Sequence, residues 1–109
     1  MEDEKNGHVT IYFIQHGHYG PVKVGKTKNS PEKRLVQLQT AAPHKLRLLC
    51  HFKGEEDLEA ILHRRLSDTI CPATNEWYYF TERLDSIVQL INMCDGDYEK
   101  IRHMLRAMV

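Results

Sequence analysis

The chain has little of what marks a specialised architecture. No apolar run approaches the roughly 20 residues that a membrane-spanning helix needs. Cysteine is scarce: Cys50, Cys71 and Cys94 are an odd number at wide, irregular spacing. That argues against a disulfide framework and for free thiols in a reducing compartment. A zinc site with His51 or His63 among its ligands is the alternative, but no C-x₂-C or H-x₃-H pair supports it. Six glycines and four prolines are too few for a collagen-like or low-complexity chain. The opening Met1-Glu2-Asp3-Glu4-Lys5 is acidic with no apolar core after it, unlike a secretory signal, so an intracellular protein (cytoplasmic or nuclear/nucleoid) is expected. Net charge is also missing, with 15 basic residues against 15 acidic ones. What remains is 109 residues, 41% hydrophobic and 28% charged, which suits one compact domain over 1–109.

The zero balance conceals a strong asymmetry. Between Pro21 and Lys53 stand eight bases (Lys23, Lys26, Lys28, Lys33, Arg34, Lys45, Arg47 and Lys53) and one acid, Glu32, a net +7. The segment from Gly54 to the end carries −5. A block this one-sided either folds into a surface that attracts phosphates or is a solvated face of chance clustering.

Hydrophobic spacing supplies the elements. His8–Gln15 is β-branched and aromatic, with Val9, Ile11 and Phe13 on one face and Thr10, Tyr12 and Ile14 on the other. After the turn His16-Gly17-His18-Tyr19-Gly20, Val22–Lys26 forms a second strand, and so short a link predicts an antiparallel hairpin. Ser30, Pro31 and Glu32 start a helix that carries Arg34, Leu35 and Leu38 and stops before Ala42-Pro43. A third strand covers 46–52, with Leu46, Leu48, Cys50 and Phe52 expected on one face. Residues 55–66 take a helical period, with Leu58, Ile61, Leu62 and Leu66 inward and Glu55, Glu59 and His63 along an adjoining line. Glu55 reads as a solvated acid of the first turn. Glu76–Phe80 is an aromatic extended piece, and two helices follow, broken at Asp95-Gly96-Asp97. The expectation is an α+β domain: a small antiparallel sheet of about three strands flanked by helices, core about 8–80, with a helical pair about 81–109.

Four polar residues interrupt these patterns: Tyr12, Lys23, Arg34 and Glu59. If the sheet packs against both helices, they can converge on one edge of it. A phenol, two cations and a carboxylate suit phosphodiester cleavage, which needs a base for water, a metal ligand and positive charge on the developing phosphorane. Each also has a plainer reading: Tyr12 as packing, Lys23 and Arg34 as solvated cations, Glu59 as the partner of a neighbouring Arg or His.

IYFIQ and KVGK, a helix with KRL, then LEAILH and NEWYYF resemble, in order and spacing, the GIY-YIG nuclease superfamily, closest to its T5orf172/MUG113 branch. The resemblance spans about Val9 to Phe80. It implies that Tyr12 is the tyrosine of the first triad, a base or water-positioning group. It puts Lys23-Val24-Gly25 at the second triad, Arg34 at the helix arginine, and Glu59 at the carboxylate that holds one divalent ion, Mg²⁺ or Mn²⁺. His63 matches a histidine usual in the branch, Glu76-Trp77 its closing acid–tryptophan pair, and His44 is an auxiliary candidate by position only. Thr10 replaces the first triad's glycine, and Lys23 the second triad's tyrosine. The function implied is a metal-dependent endonuclease acting on DNA, RNA not excluded, with Lys26, Lys28, Lys33, Lys45 and Arg47 contacting the backbone. Two rivals remain: a DNA-binding module without catalysis, and an accessory protein whose terminal helices, through Tyr98, Met104, Leu105 and Met108, meet a partner or form a homodimer.

Overall fold

The computed structural model describes residues 8–108; the acidic opening read above and Val109 lie outside the described residues. Strands β1 (His8–His16), β2 (Val22–Thr27), β3 (Leu46–Glu55) and β4 (Trp77–Tyr78) form one antiparallel sheet in the order β3-β1-β2-β4. The aromatic piece after Glu76 thus supplies a short fourth strand beyond the three clearly patterned ones. On β2 it pairs with Val22 and Lys23, and Val24 N donates to Glu76 O at 3.0 Å just before it, so β2 from Gly25 onward is an outer edge. Gly17, at φ +69°, makes the turn out of β1 in a conformation that side chains disfavour.

The two sheet faces are covered differently. Val9, Ile11, Phe13, Val22, Val24, Cys50 and Phe52 pack under α2 (Glu56–Arg65), α3 (Glu82–Met93) and α4 (Tyr98–Ala107) in the main core. On the other face, Tyr12, Ile14 and Leu46 form a small cluster beneath α1 (Pro31–Ala41), joined by Leu35, Leu38, Leu48 and Trp77. Local chemistry fixes the helix starts. Ser30 Oγ accepts from Lys33 N at 3.1 Å ahead of Pro31, and Thr81 Oγ1 accepts from Leu84 N at 3.1 Å.

Two expectations need correction. Leu46, Leu48, Cys50 and Phe52 do not share a face. The β1–β3 pairing slips between Phe13 and Ile14, so that Phe13 meets Cys50 while Ile14 meets Leu48. The extra residue, Leu49, is a bulge that reverses the alternation, which sends Leu46 and Leu48 to α1 but Cys50 and Phe52 to the main core. Glu55, in turn, is not a solvated first-turn acid. It ends β3 and accepts from Arg106 Nη2 of α4 at 3.0 Å.

The apolar face of α4 turns inward. Leu105 is buried in the main core, and Tyr98, Met104 and Met108 pack against it. On the neighbouring α3 it is Leu90 and Met93 that face solvent. Cys50, Cys71 and Cys94 are free thiols. Among the described residues no helix is long and apolar enough to cross a membrane.

Candidate active site

β1 is the central strand, and its register sets the site. Tyr12 lies opposite Gly25 of β2 and His51 of β3. Its ring crosses the glycine so closely that a Cβ at residue 25 would stand 2.5 Å from the phenol oxygen. Only glycine permits that approach. The ring is buried, and Arg34 Nε, from the first turns of α1, donates to Tyr12 Oη at 3.2 Å. Arg34 Nη1 is steadied by Gln37 Oε1 at 3.1 Å.

The carboxylates lie on the other side of the β2 edge. Glu59 sits on the buried side of α2, 8% exposed, with His63 Nε2 3.3 Å from its Oε2. The hydroxyl of Tyr78 hydrogen-bonds His63 Nδ1. Burial pushes the Tyr78 phenol up to about 12, with Glu76 and Glu59 nearby adding to the rise. The Tyr78 hydroxyl, which can donate or accept, orients the imidazole so that Nε2 faces Glu59. Lys26 Nζ stands 3.3 Å from Glu56 and 3.6 Å from Glu59, and these contacts raise its pKa above the usual lysine value, the Glu56 hydrogen bond most. Glu76, just before β4, is paired with Lys23.

Glu59, His63 and Glu76 each offer a ligand atom, all within 4.8 Å of one another. Two carboxylates and an imidazole can hold a divalent cation, and the oxygen-rich set suits a hard ion or manganese better than a soft one. Lys23 and Lys26 neutralise the same acids, so an ion there competes with two ammonium groups.

The four residues singled out by pattern therefore do not form one hydrogen-bonded cluster. Tyr12 and Arg34 are joined, Lys23 holds Glu76, and Glu59 holds His63 and Lys26. Lys23 and Gly25 point toward the α1 face of β2, and Lys26 toward α2. The groups are arranged around the open edge of that strand.

The other basic residues separate. Lys28 lines a polar recess of ≈ 390 Å³ with Thr10, Asn29, Ser30, His51 and Lys53, beside the start of α1. Lys33 is exposed on the same end of the helix. Lys45 lies at the far end, near the last turns of α1. Arg47 is committed to the scaffold, donating to Gly17 O at 3.1 Å and Gln15 Oε1 at 2.8 Å. His44 stacks edge-on against His16, centroids 4.9 Å apart. Sequence reasoning missed His51 and Lys53 as neighbours of the Tyr12 side. Alternation puts Thr10 and Tyr12 on one face, but only the register brings Lys53 opposite Thr10. It also treated Glu76 as a closing motif, although the residue completes the ligand triad.

A family model described as the T5orf172 domain matches residues 9–95. The match continues past Phe80 through α3. No curated protein and no solved structure gives a significant match.

Proposed function

The chain belongs to the T5orf172 domain family, and from that premise we propose that it is a metal-dependent DNA endonuclease domain of GIY-YIG type. Membership suggests a nuclease-like or DNA-binding domain. The observation that carries the catalytic reading is the Glu59–His63–Glu76 triad, with ligand atoms within 4.8 Å, at the same strand edge as Tyr12, Lys23 and Arg34.

Glu59 and Glu76, with His63, would hold Mg²⁺ or Mn²⁺, which supplies Lewis acidity and lowers the pKa of bound water. The chain's own groups do the rest. Tyr12, held by Arg34 and backed by Gly25, positions or deprotonates the attacking water. Arg34 contributes a rigid, permanently charged fork for a phosphate oxygen, and Lys23 a second cation against the charge that builds up in the transition state. His63 acts on Glu59, with its ring fixed by Tyr78. Lys28, Lys33 and Lys53, with His51, extend the positive surface along the strand to guide the backbone.

One observation favours a second reading. The carboxylates are already neutralised by Lys23 and Lys26, as in a binding module whose acids are structural. Incubating the chain with plasmid and single-stranded DNA plus Mg²⁺ or Mn²⁺ separates the two. Wild type should cleave, and Glu59→Ala should lose at least a hundredfold in rate, on the order expected when a transition-state electrostatic group is removed. Equal behaviour of the two proteins leaves only the binding module. Salt-sensitive binding fits both readings.

A further inference from the structure

Consecutive residues at the entry to β4 open onto different recesses. Glu76 lines one with Glu59, His63 and Tyr78. Trp77 lines another, of ≈ 430 Å³, with His16, Pro21, Cys71 and Thr74. The second is walled mainly by apolar and aromatic surface, yet it is firmly built. Cys71 N donates to Trp77 O at 2.9 Å, Thr74 Oγ1 donates to Cys71 O at 2.8 Å, and Ala73 is held at φ +62°, a conformation costly for any residue but glycine. The His16 ring stands edge-on to Trp77, with centroids 6.5 Å apart and planes at 84°. Lys23, the cross-strand partner of Trp77, places Nζ 5.9 Å from the indole centroid while it holds Glu76.

We propose that this recess receives an unpaired nucleobase of the DNA strand whose phosphate lies at the neighbouring Lys23–Glu76–Glu59 edge. The inference rests on the nucleic-acid reading above and adds which part of the nucleotide goes where. A charge and a π-face stand one strand spacing apart, about 5 Å, and a nucleotide presents its phosphate and ring as such a pair. Stacking on an indole tolerates any base, because every base has a π-face. A base still paired and stacked in a duplex cannot enter. The strand preferred is therefore single-stranded or locally opened, with weak sequence preference.

Trp77 is the one tryptophan of the chain, so its emission reports the recess directly. The full chain is titrated with oligothymidylate and with an abasic strand of equal length and charge, and anisotropy of labelled strands is followed in parallel. Oligothymidylate should quench the emission by half or more and bind roughly tenfold tighter than the abasic strand, the scale of one stacked base. The abasic strand should bind without quenching, and His16→Ala should shrink the difference to about threefold. Binding of both strands with equal affinity and unchanged emission overturns the base recess but leaves the nucleic-acid reading standing. Absence of any anisotropy change overturns both.

Discussion

The two faces of the sheet solve opposite problems. One is sealed by three helices around a continuous apolar core reaching from Val9 to Leu105. The other carries one helix, a cluster of three buried apolar residues and a rim of Lys28, Lys53, His51 and Arg34. The continuous core lies on the first face, while the groups proposed for the chemistry divide between the second face and the open edge of β2. Glu59 illustrates the bargain. It belongs to a core helix yet projects to the edge, where a rigid element holds it in position.

Truncation tests that asymmetry most severely. Leu62, fully buried in the main core, should lose about 2–5 kcal/mol as Leu62→Ala, the range for a core leucine. Leu38→Ala, on the partly covered α1, should lose about 1 kcal/mol, because a half-exposed site forfeits less transfer energy and leaves no closed cavity. Urea unfolding measures both. Equal losses would show that the α1 face is a second core rather than a platform.

The next largest effect sharpens the role of the platform. Gly25→Ala puts a Cβ 2.5 Å from Tyr12 Oη, so the ring or the strand must shift. Overpacking of this kind costs about 1–3 kcal/mol. It should also break the Arg34–Tyr12 hydrogen bond and reduce cleavage more than stability alone explains, as assayed well below the melting temperature. Full activity in Gly25→Ala would remove Tyr12 from the chemistry.

How much of this was legible depended on range. Ser30-Pro31, Thr81 and the leucines of α2 announce themselves within a few residues, because capping and helical period are local. The Leu49 bulge does not, since the run Leu46–Phe52 alternates perfectly on paper and only its pairing with β1 exposes the extra residue. The +7 block meets the same limit. A sum over sequence cannot see that Lys23 meets Glu76, 53 residues away, or that Lys26 meets Glu56, 30 residues away, and Glu59 one turn further on. The positive surface is therefore smaller than the count suggests and concentrated near the start of α1. Tyr12, Lys23, Arg34 and Glu59 stood out as polar breaks in apolar patterns, whereas His51 and Lys53 lie where a strand residue can simply face water.

The Lys23–Glu76 pair offers a finer test of how the two faces communicate. If the ammonium competes with an ion for Glu76, Lys23→Met should tighten Mn²⁺ binding by roughly fivefold, the scale of one partly exposed ion pair. Isothermal titration reads this directly. Cleavage should nevertheless fall, because the transition state loses a cation. Weaker ion binding in the variant would mean that Lys23 orients Glu76 rather than competing for it.

The smallest effect concerns Tyr78, whose ring belongs to the core while its hydroxyl reaches His63 at the edge. Tyr78→Phe keeps the packing and removes one hydrogen bond, a loss of about 0.5–1 kcal/mol at neutral pH. The two proteins should differ more informatively in base. The folded phenol, at about 12, binds its proton more tightly than an unfolded one near its ordinary value of about 10. The wild type therefore holds this contribution fully below pH 10 and loses it as pH rises through 12. Tyr78→Phe has no such term, so the stability gap between the proteins should narrow or reverse across that window in alkaline urea titrations. A constant gap would show that the phenol is not buried in the folded chain.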